Sequence, residues 1–331
     1  MQRNLLVTLF LGLILIGCHP RKTAWNSDVP SNIKNEIKSL NDSVLDAISS
    51  GHSQKLKQFF SDKLKEQTGN DLDSVVSQMH ALIKTKNYAV LDECFITSKA
   101  TGTKDTITNG DKGSKAYKIN FDVETNEMYV SLLLHESEDG QLLVTCIYGK
   151  YGDGWKLNVF RVGRYSYFGN TAIDIYNQAK SKYEQGDVTD AANIIVLAKQ
   201  PLSPAYQFFQ FDMEKEIKVF ARKVVAEADT SFRFPNMIGE LKTEPIIYNI
   251  RPLPMQEGIF PVITYGTKVN FHDTLALKNE NDGLQKIIGQ LFPGIEKNNK
   301  YIFFQAYQQT SAGLKPGSHL EFVMHGTVTQ P

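Results

Sequence analysis

Tyr117-Lys118-Ile119-Asn120-Phe121-Asp122-Val123-Glu124 alternates apolar and polar residues without a break. Successive side chains of a strand point to opposite faces, so a period of two predicts a strand with one buried face. Downstream, residues 128–134 are apolar on both faces, and Glu138-Asp139-Gly140 reads as a hairpin turn into a strand at 142–148. Gly152-Asp153-Gly154 turns the chain again, and Trp155, Leu157 and Val159 share one face of a last strand ending near Val162. Upstream, residues 88–97 predict another strand, and 99–114, rich in Thr, Lys, Gly and Asp, a loop. Before that the period is helical. Ile33, Ile37, Leu40, Val44 and Ile48 make one stripe that Gly51 ends. Leu56, Phe59, Phe60 and Leu64 predict a second short helix ending near Gly69. Leu72, Val75, Val76, Met79, Leu82 and Ile83 predict a third, capped by Asn70 or Asp71. Helices followed by a meander of antiparallel strands define an α+β class, with helices on one face of a curved sheet.

In element order and length, residues 31–168 resemble the NTF2-like superfamily of cone-shaped α+β domains. The resemblance rests on that order and implies a pocket inside the cone. Some members are enzymes with an acid and a tyrosine in that pocket. Asp122, Tyr129 and Tyr148 are of those types, but no local signature selects them and no catalytic residue is assigned.

Residues 170–232 are predicted to be helical. Tyr183-x-x-Gly186-Asp187-x-x-Asp190-Ala191, with Ala198 and Pro201 after it, resembles a single tetratricopeptide unit. Gly186 would end the first helix, and the small Ala191 and Ala192 would let the pair approach closely. About three such units are needed for a free-standing array, so the expectation is a helical hairpin. Ser203-Pro204 is expected to cap a longer helix holding Phe208, Phe209, Met213, Ile217, Phe220, Val224 and Val225. Residues 235–331 then predict a small β-β-α-β-β unit. Its strands lie at 246–250 and 259–269, its helix at 282–292, and its closing strands at 301–307 and 320–328 with a loop at 313–318. Pro252 and Pro254 belong at an edge or a bulge.

The amino terminus carries a different kind of signal. Arg3 precedes a run from Leu5 to Ile16 interrupted only by Thr8 and Gly12. That run is too short for a bilayer core, which takes roughly 20 residues, and it matches the apolar region of a secretory signal at 1–17. It ends Leu15-Ile16-Gly17-Cys18, which resembles the lipobox of bacterial lipoproteins. The resemblance implies that Cys18 receives a diacylglycerol, that cleavage falls before it, and that its new amino group is acylated. Two or more acyl chains anchor stably where one binds only marginally. His19 is not the aspartate that marks inner-membrane retention in such families, and Arg21 and Lys22 are the opposite of an acidic surface-export signal. A periplasm-facing place on the outer membrane is therefore expected. Residues 18–30 read as a tether.

The remaining thiols, Cys94 and Cys146, both lie in strand-like runs. An oxidising envelope permits a disulfide between them, given Cα atoms about 4.4–6.8 Å apart, and free buried cysteines are the alternative. The 36 basic and 36 acidic residues cancel, which gives nucleic acid no electrostatic footprint. Several motifs fail on spacing. His135-Glu136 is followed by Asp139 where a zinc helix needs its second histidine. His319 and His325 share a strand face about 20 Å apart, too far for one metal. Gly149, Gly152 and Gly154 sit between strands rather than before a helix, so they make a turn and not a phosphate cradle. No CxxC and no G-x-S-x-G occurs, and no cofactor or metal is implied. The Tyr165-Ser166-Tyr167-Phe168 and 208–211 aromatic clusters are either partner surfaces or interdomain packing.

These features point first to a non-enzymatic, membrane-anchored envelope lipoprotein that binds a protein partner or scaffolds an assembly. A small-ligand carrier or sensor using the cone pocket is the alternative, and a hydrolase or isomerase a second one. A filled cone with an apolar patch elsewhere favours partner binding; a deep cavity with inward polar groups favours a ligand.

Overall fold

The alternating stretch forms a strand, but outside the main sheet. The computed structural model describes residues 21–110, 113, 115–152, 154–310 and 313–326. The expected signal peptide, Cys18 and the end of the last strand at 327–328 lie outside the described residues. β1 (Lys22–Trp25) leads into α1 (Ser31–Ser49), α2 (Ser53–Lys57), α3 (Asp62–Thr68) and α4 (Leu72–Leu82). β2 (Ala89–Thr97), β3 (Lys104–Thr108), β4 (Tyr117–Asp122), β5 (Glu127–Ser137), β6 (Gly140–Tyr151), β7 (Gly154–Tyr167) and β8 (Asn170–Thr171) follow. The main sheet has the order β1-β2-β5-β6-β7-β8, antiparallel throughout. Its register makes room for an extra residue at Leu91 on β2 and at Asn158 and Tyr165 on β7. Such bulges bend strands and increase twist, and the sheet is curled into a half-barrel.

Strict alternation divides this sheet between two cores. Tyr129 and Leu133 on β5, and Val144 and Tyr148 on β6, face the helices, where Ile37, Val44, Leu45 and Ile48 supply the buried stripe of α1. Val130, Leu132, Leu143 and Ile147 face the other way into a second core. That core is closed by α5 (Ala172–Glu184), by α6 (Val188–Ile195) with the 3-10 turn Val196–Lys199, and by a three-stranded sheet. The small sheet has the order β3-β4-β9, with β9 (Phe209–Phe211) followed by α7 (Glu214–Ser231). One core therefore runs across the boundary expected at 168–170. The sign was present in 128–134: a strand apolar on both faces needs cover on both.

Four expectations change. Residues 22–30 are not a tether. β1 pairs with residues 94–97 of β2, the Asn26 side chain accepts from the Glu93 N–H at 2.9 Å and donates to Asp92 at 2.7 Å, and Val29 is buried. The loop at 99–114 contains β3. Phe208 and Phe209 do not belong to a long helix: β9 pairs with β4, and Phe209 stacks on Tyr117 with ring centroids 4.6 Å apart, so the helix starts only at Glu214. Cys94 and Cys146 are free, because β5 separates their strands and Cys94 faces the second core while Cys146 faces the first. Burial pushes both thiols up to about 12.

The carboxyl-terminal unit comprises β10 (Asn236–Met237), β11 (Ile246–Met255), β12 (Gly258–Thr267), α8 (Thr274–Leu291), α9 (Ile295–Asn298), β13 (Tyr301–Thr310) and β14 (Gly313–His325). Its sheet follows chain order, and β12 and β13 are parallel, which requires the α8 crossover. β11 pairs with β10 only at Ile246 and Ile247, so Pro252 and Pro254 sit where its outer edge is open. α8 begins earlier than expected because the Asp273 side chain accepts from the Ala276 N–H at 3.0 Å, an N-cap that the Leu277 stripe then extends. Residues expected as a loop at 313–318 lie in β14.

Candidate functional site

Between α1 and the curled sheet, buried polar side chains bond to one another. Asn41 of α1 donates to Ser131 at 3.1 Å and accepts from the Tyr148 hydroxyl at 2.8 Å. Tyr129 donates to Glu93 at 2.6 Å, and Glu93 also pairs with Lys34 at 2.5 Å. Burial raises the phenols of Tyr129 and Tyr148 far above the ordinary range, so both stay neutral donors. Asp122 does not join them. It lies exposed on β4, 3.4 Å from Lys63, and the trio considered as cone residues is not brought together.

The remaining candidate motifs have structural partners. His135 is buried with Nδ1 2.9 Å from the Asn87 carbonyl. His319 stacks on Tyr307 and His325 packs edge-on against Tyr301, six residues apart along β14. Among the described residues no group of three His, Cys, Asp or Glu side chains could hold a metal ion. Of the aromatic clusters, Phe209, Phe211 and Ser166 are buried, and Arg161 covers Phe208 at 5.4 Å. Tyr165, Tyr167 and Phe208 are partly buried and pack against the second core.

An open surface lies elsewhere, between α6 with its 3-10 turn and α7. A largely apolar groove of about 710 Å³ runs there, floored by small or branched side chains such as Ile195, Ala198, Ile217, Ala221 and Val225. The short side chains of Ala198, Ala221 and Ala226 leave the space between the two elements open. Val196, Val225 and Asp229 also line a smaller cavity of about 140 Å³ that reaches Thr189, Asn193 and Phe232. Thr189 Oγ1 and Asn193 Oδ1 are buried and have no hydrogen-bond partner among the described residues. Polar atoms buried without a partner are uncommon in folded proteins. The rim carries charge: along α7, Lys218 and Arg222 precede Asp229, and Lys199 also lines the groove. Lys218 also pairs with Glu214.

α6 meets the carboxyl-terminal unit on its other side. Asn299 donates to the buried Asp190 carboxylate at 2.7 Å, with Lys182 at 3.9 Å. Burial pushes the Asp190 carboxyl up to about 7, opposed by Lys182 and Asn299 and assisted by Asp187 and Glu296.

The sequence stripe of α7 was readable, but the groove was not. It depends on which faces of two helices are left apart, and exposed Val196 lines it. Comparison with protein-family models, with curated proteins and with solved structures matches nothing to this chain. Among the described residues no helix is long and apolar enough to cross a membrane.

Proposed function

We propose that the chain is a membrane-anchored lipoprotein of the cell envelope. An acylated Cys18 holds it on the periplasmic side of the outer membrane, and it binds a protein partner through the α6–α7 groove rather than catalysing a reaction. We read the first unit as an NTF2-like cone and residues 172–199 as a tetratricopeptide-like hairpin. The observation that carries partner binding is the open, largely apolar groove of about 710 Å³ between α6 and α7. A second reading, a small-ligand carrier, draws on a cleft of about 420 Å³ between α3–α4 and β7 that contains Leu64, Met79, Phe160 and Arg161.

Two variants test the proposal in the native envelope. Cys18→Ser is expected to leave the membrane fraction; a variant that stays bound and full-length overturns the anchor. Ala221→Trp fills the groove floor. With the anchor intact, it should lose a cross-linked species of defined mass that the parent chain forms. An unchanged cross-linking pattern, with the fold confirmed by circular dichroism, removes the groove from the reading.

A further inference from the structure

The two outer edges of the carboxyl-terminal sheet differ. On β11, Pro252 stands opposite Pro261, and neither has an N–H. The pair is therefore of the non-hydrogen-bonded kind, with its backbone groups pointing away from each other. Pro252 and Pro254 thus withhold donors from any strand that approaches β11 from outside. On β14 the parity is fixed by the Gly326 N–H, which donates to the Lys300 carbonyl at 3.1 Å. Residues Leu320, Phe322 and Met324 accordingly turn their backbone groups toward β13, and His319, Glu321, Val323 and His325 turn theirs outward. Among the described residues no strand lies beyond β14. Exposed Lys315, Pro316 and Gly317 blunt its first half, but residues 319–325 carry no proline, no lysine and no register shift. There Leu320, Phe322 and Met324 pack at the rim of the core that α8 closes, and Val323 on the opposite face is 44% exposed.

A strand that fits this edge must offer outward backbone groups at alternate positions, apolar side chains on the α8 face and no acid opposite Glu321. Residues 319–325 meet those conditions for themselves. An antiparallel two-fold pairing centred on Phe322 sets Leu320 against Met324 of the other copy and Phe322 against its equivalent, so the apolar rim continues across the seam. On the other face it sets His319 against His325 and Glu321 against Val323. The outward groups of the two copies meet as hydrogen-bonded pairs, about eight main-chain bonds over about 20 Å. Centring the pair on Glu321 instead would place two carboxylates directly opposite each other, which is destabilising. We propose that β14 pairs with β14 of a second copy of this chain, antiparallel about Phe322, so that two five-stranded sheets join into one. The inference goes beyond the α6–α7 reading and does not rest on it.

The test uses the full-length chain carrying Cys18→Ser, so that neither an acyl chain nor its thiol contributes. Sedimentation equilibrium from about 1 to about 100 μM should show a mass that rises toward twice that of one chain. Val323→Glu places a carboxylate opposite Glu321 at two points of the seam and should weaken association about tenfold, whereas Val323→Lys places an ammonium there and should strengthen it, most at low salt. The Val323 N–H faces outward, so both variants keep the β13 ladder, and their melting temperatures as monomers should match the parent's. Phe322→Cys should form a disulfide between copies under mild oxidation, since the Cα atoms of a non-hydrogen-bonded pair lie about 4.5 Å apart. Leu275→Cys, exposed on α8, should not. A chain that stays monomeric across the whole range overturns the proposal. So does a dimer that both Val323 variants leave unchanged, because its interface then lies elsewhere. A dimer that both variants weaken alike, with no Phe322→Cys disulfide, overturns the pairing about Phe322.

Discussion

Asp190 shows what burial does to one carboxyl. In an unfolded chain it ionises near 3.8; folded between α6 and Asn299 it is pushed up to about 7. The folded protein therefore holds a proton that the unfolded chain has released. The stability this site contributes is complete below the unfolded value and is lost as pH rises through the folded one. Lys182, Asp187 and Glu296 are the charged groups that surround it. Asp190→Asn keeps a neutral acceptor for Asn299. It is expected to flatten the pH dependence of the melting temperature between about pH 4 and about pH 7, and to raise stability at the upper end by on the order of 2–4 kcal/mol. An unchanged slope, measured by calorimetry, would contradict this. Asp190 was visible in the sequence only as part of a helical motif. Its chemistry depends on Asn299, more than a hundred positions away. Cys94 and Cys146 teach the same lesson: their strand-like settings were legible, but their opposite faces followed from a register that β5 sets between them.

At the scale of elements, long periodic segments were readable and short ones were not. The α1 stripe and the strands β5 to β7 stand where their patterns put them. β9 spans only Phe209–Phe211, too short to display a period, and its phenylalanines fit a helical stripe equally well. Pairing with β4 decides the matter, since Phe209 is fully buried against Tyr117 and Phe211. Phe209→Ala is expected to cost about 3–5 kcal/mol, read as a lowered midpoint in urea, because it empties the junction between the small sheet and α7. A loss below about 1 kcal/mol would mean that the small sheet contributes little to the fold. Pro252 and Pro254 were legible as edge residues, and β11 places them on its open side.

For the whole molecule, the curled sheet is the middle of three layers, with helices on one face and the small sheet, α5 and α6 on the other. The α+β class was legible. The sharing of a core across residues 168–170 was not, because periodicity reports which face of a segment is apolar and not what covers it. Residues 31–168 expressed alone leave Ile96, Val130, Leu132 and Ile147 without their cover. That fragment is expected to bind a hydrophobic dye and unfold without a sharp transition, whereas residues 21–326 unfold cooperatively. A monomeric fragment with a sharp transition would show that the first unit is self-sufficient.

The short edge strand β1 also sets a geometry outside the fold. Lys22 is already paired with Thr97, so only four peptide steps separate the proposed acyl attachment point from the sheet. Fully stretched, that leash reaches at most about 14 Å. The body would ride against the lipid headgroups with little freedom to tumble, and a partner would have to come alongside the membrane rather than down from the open periplasm.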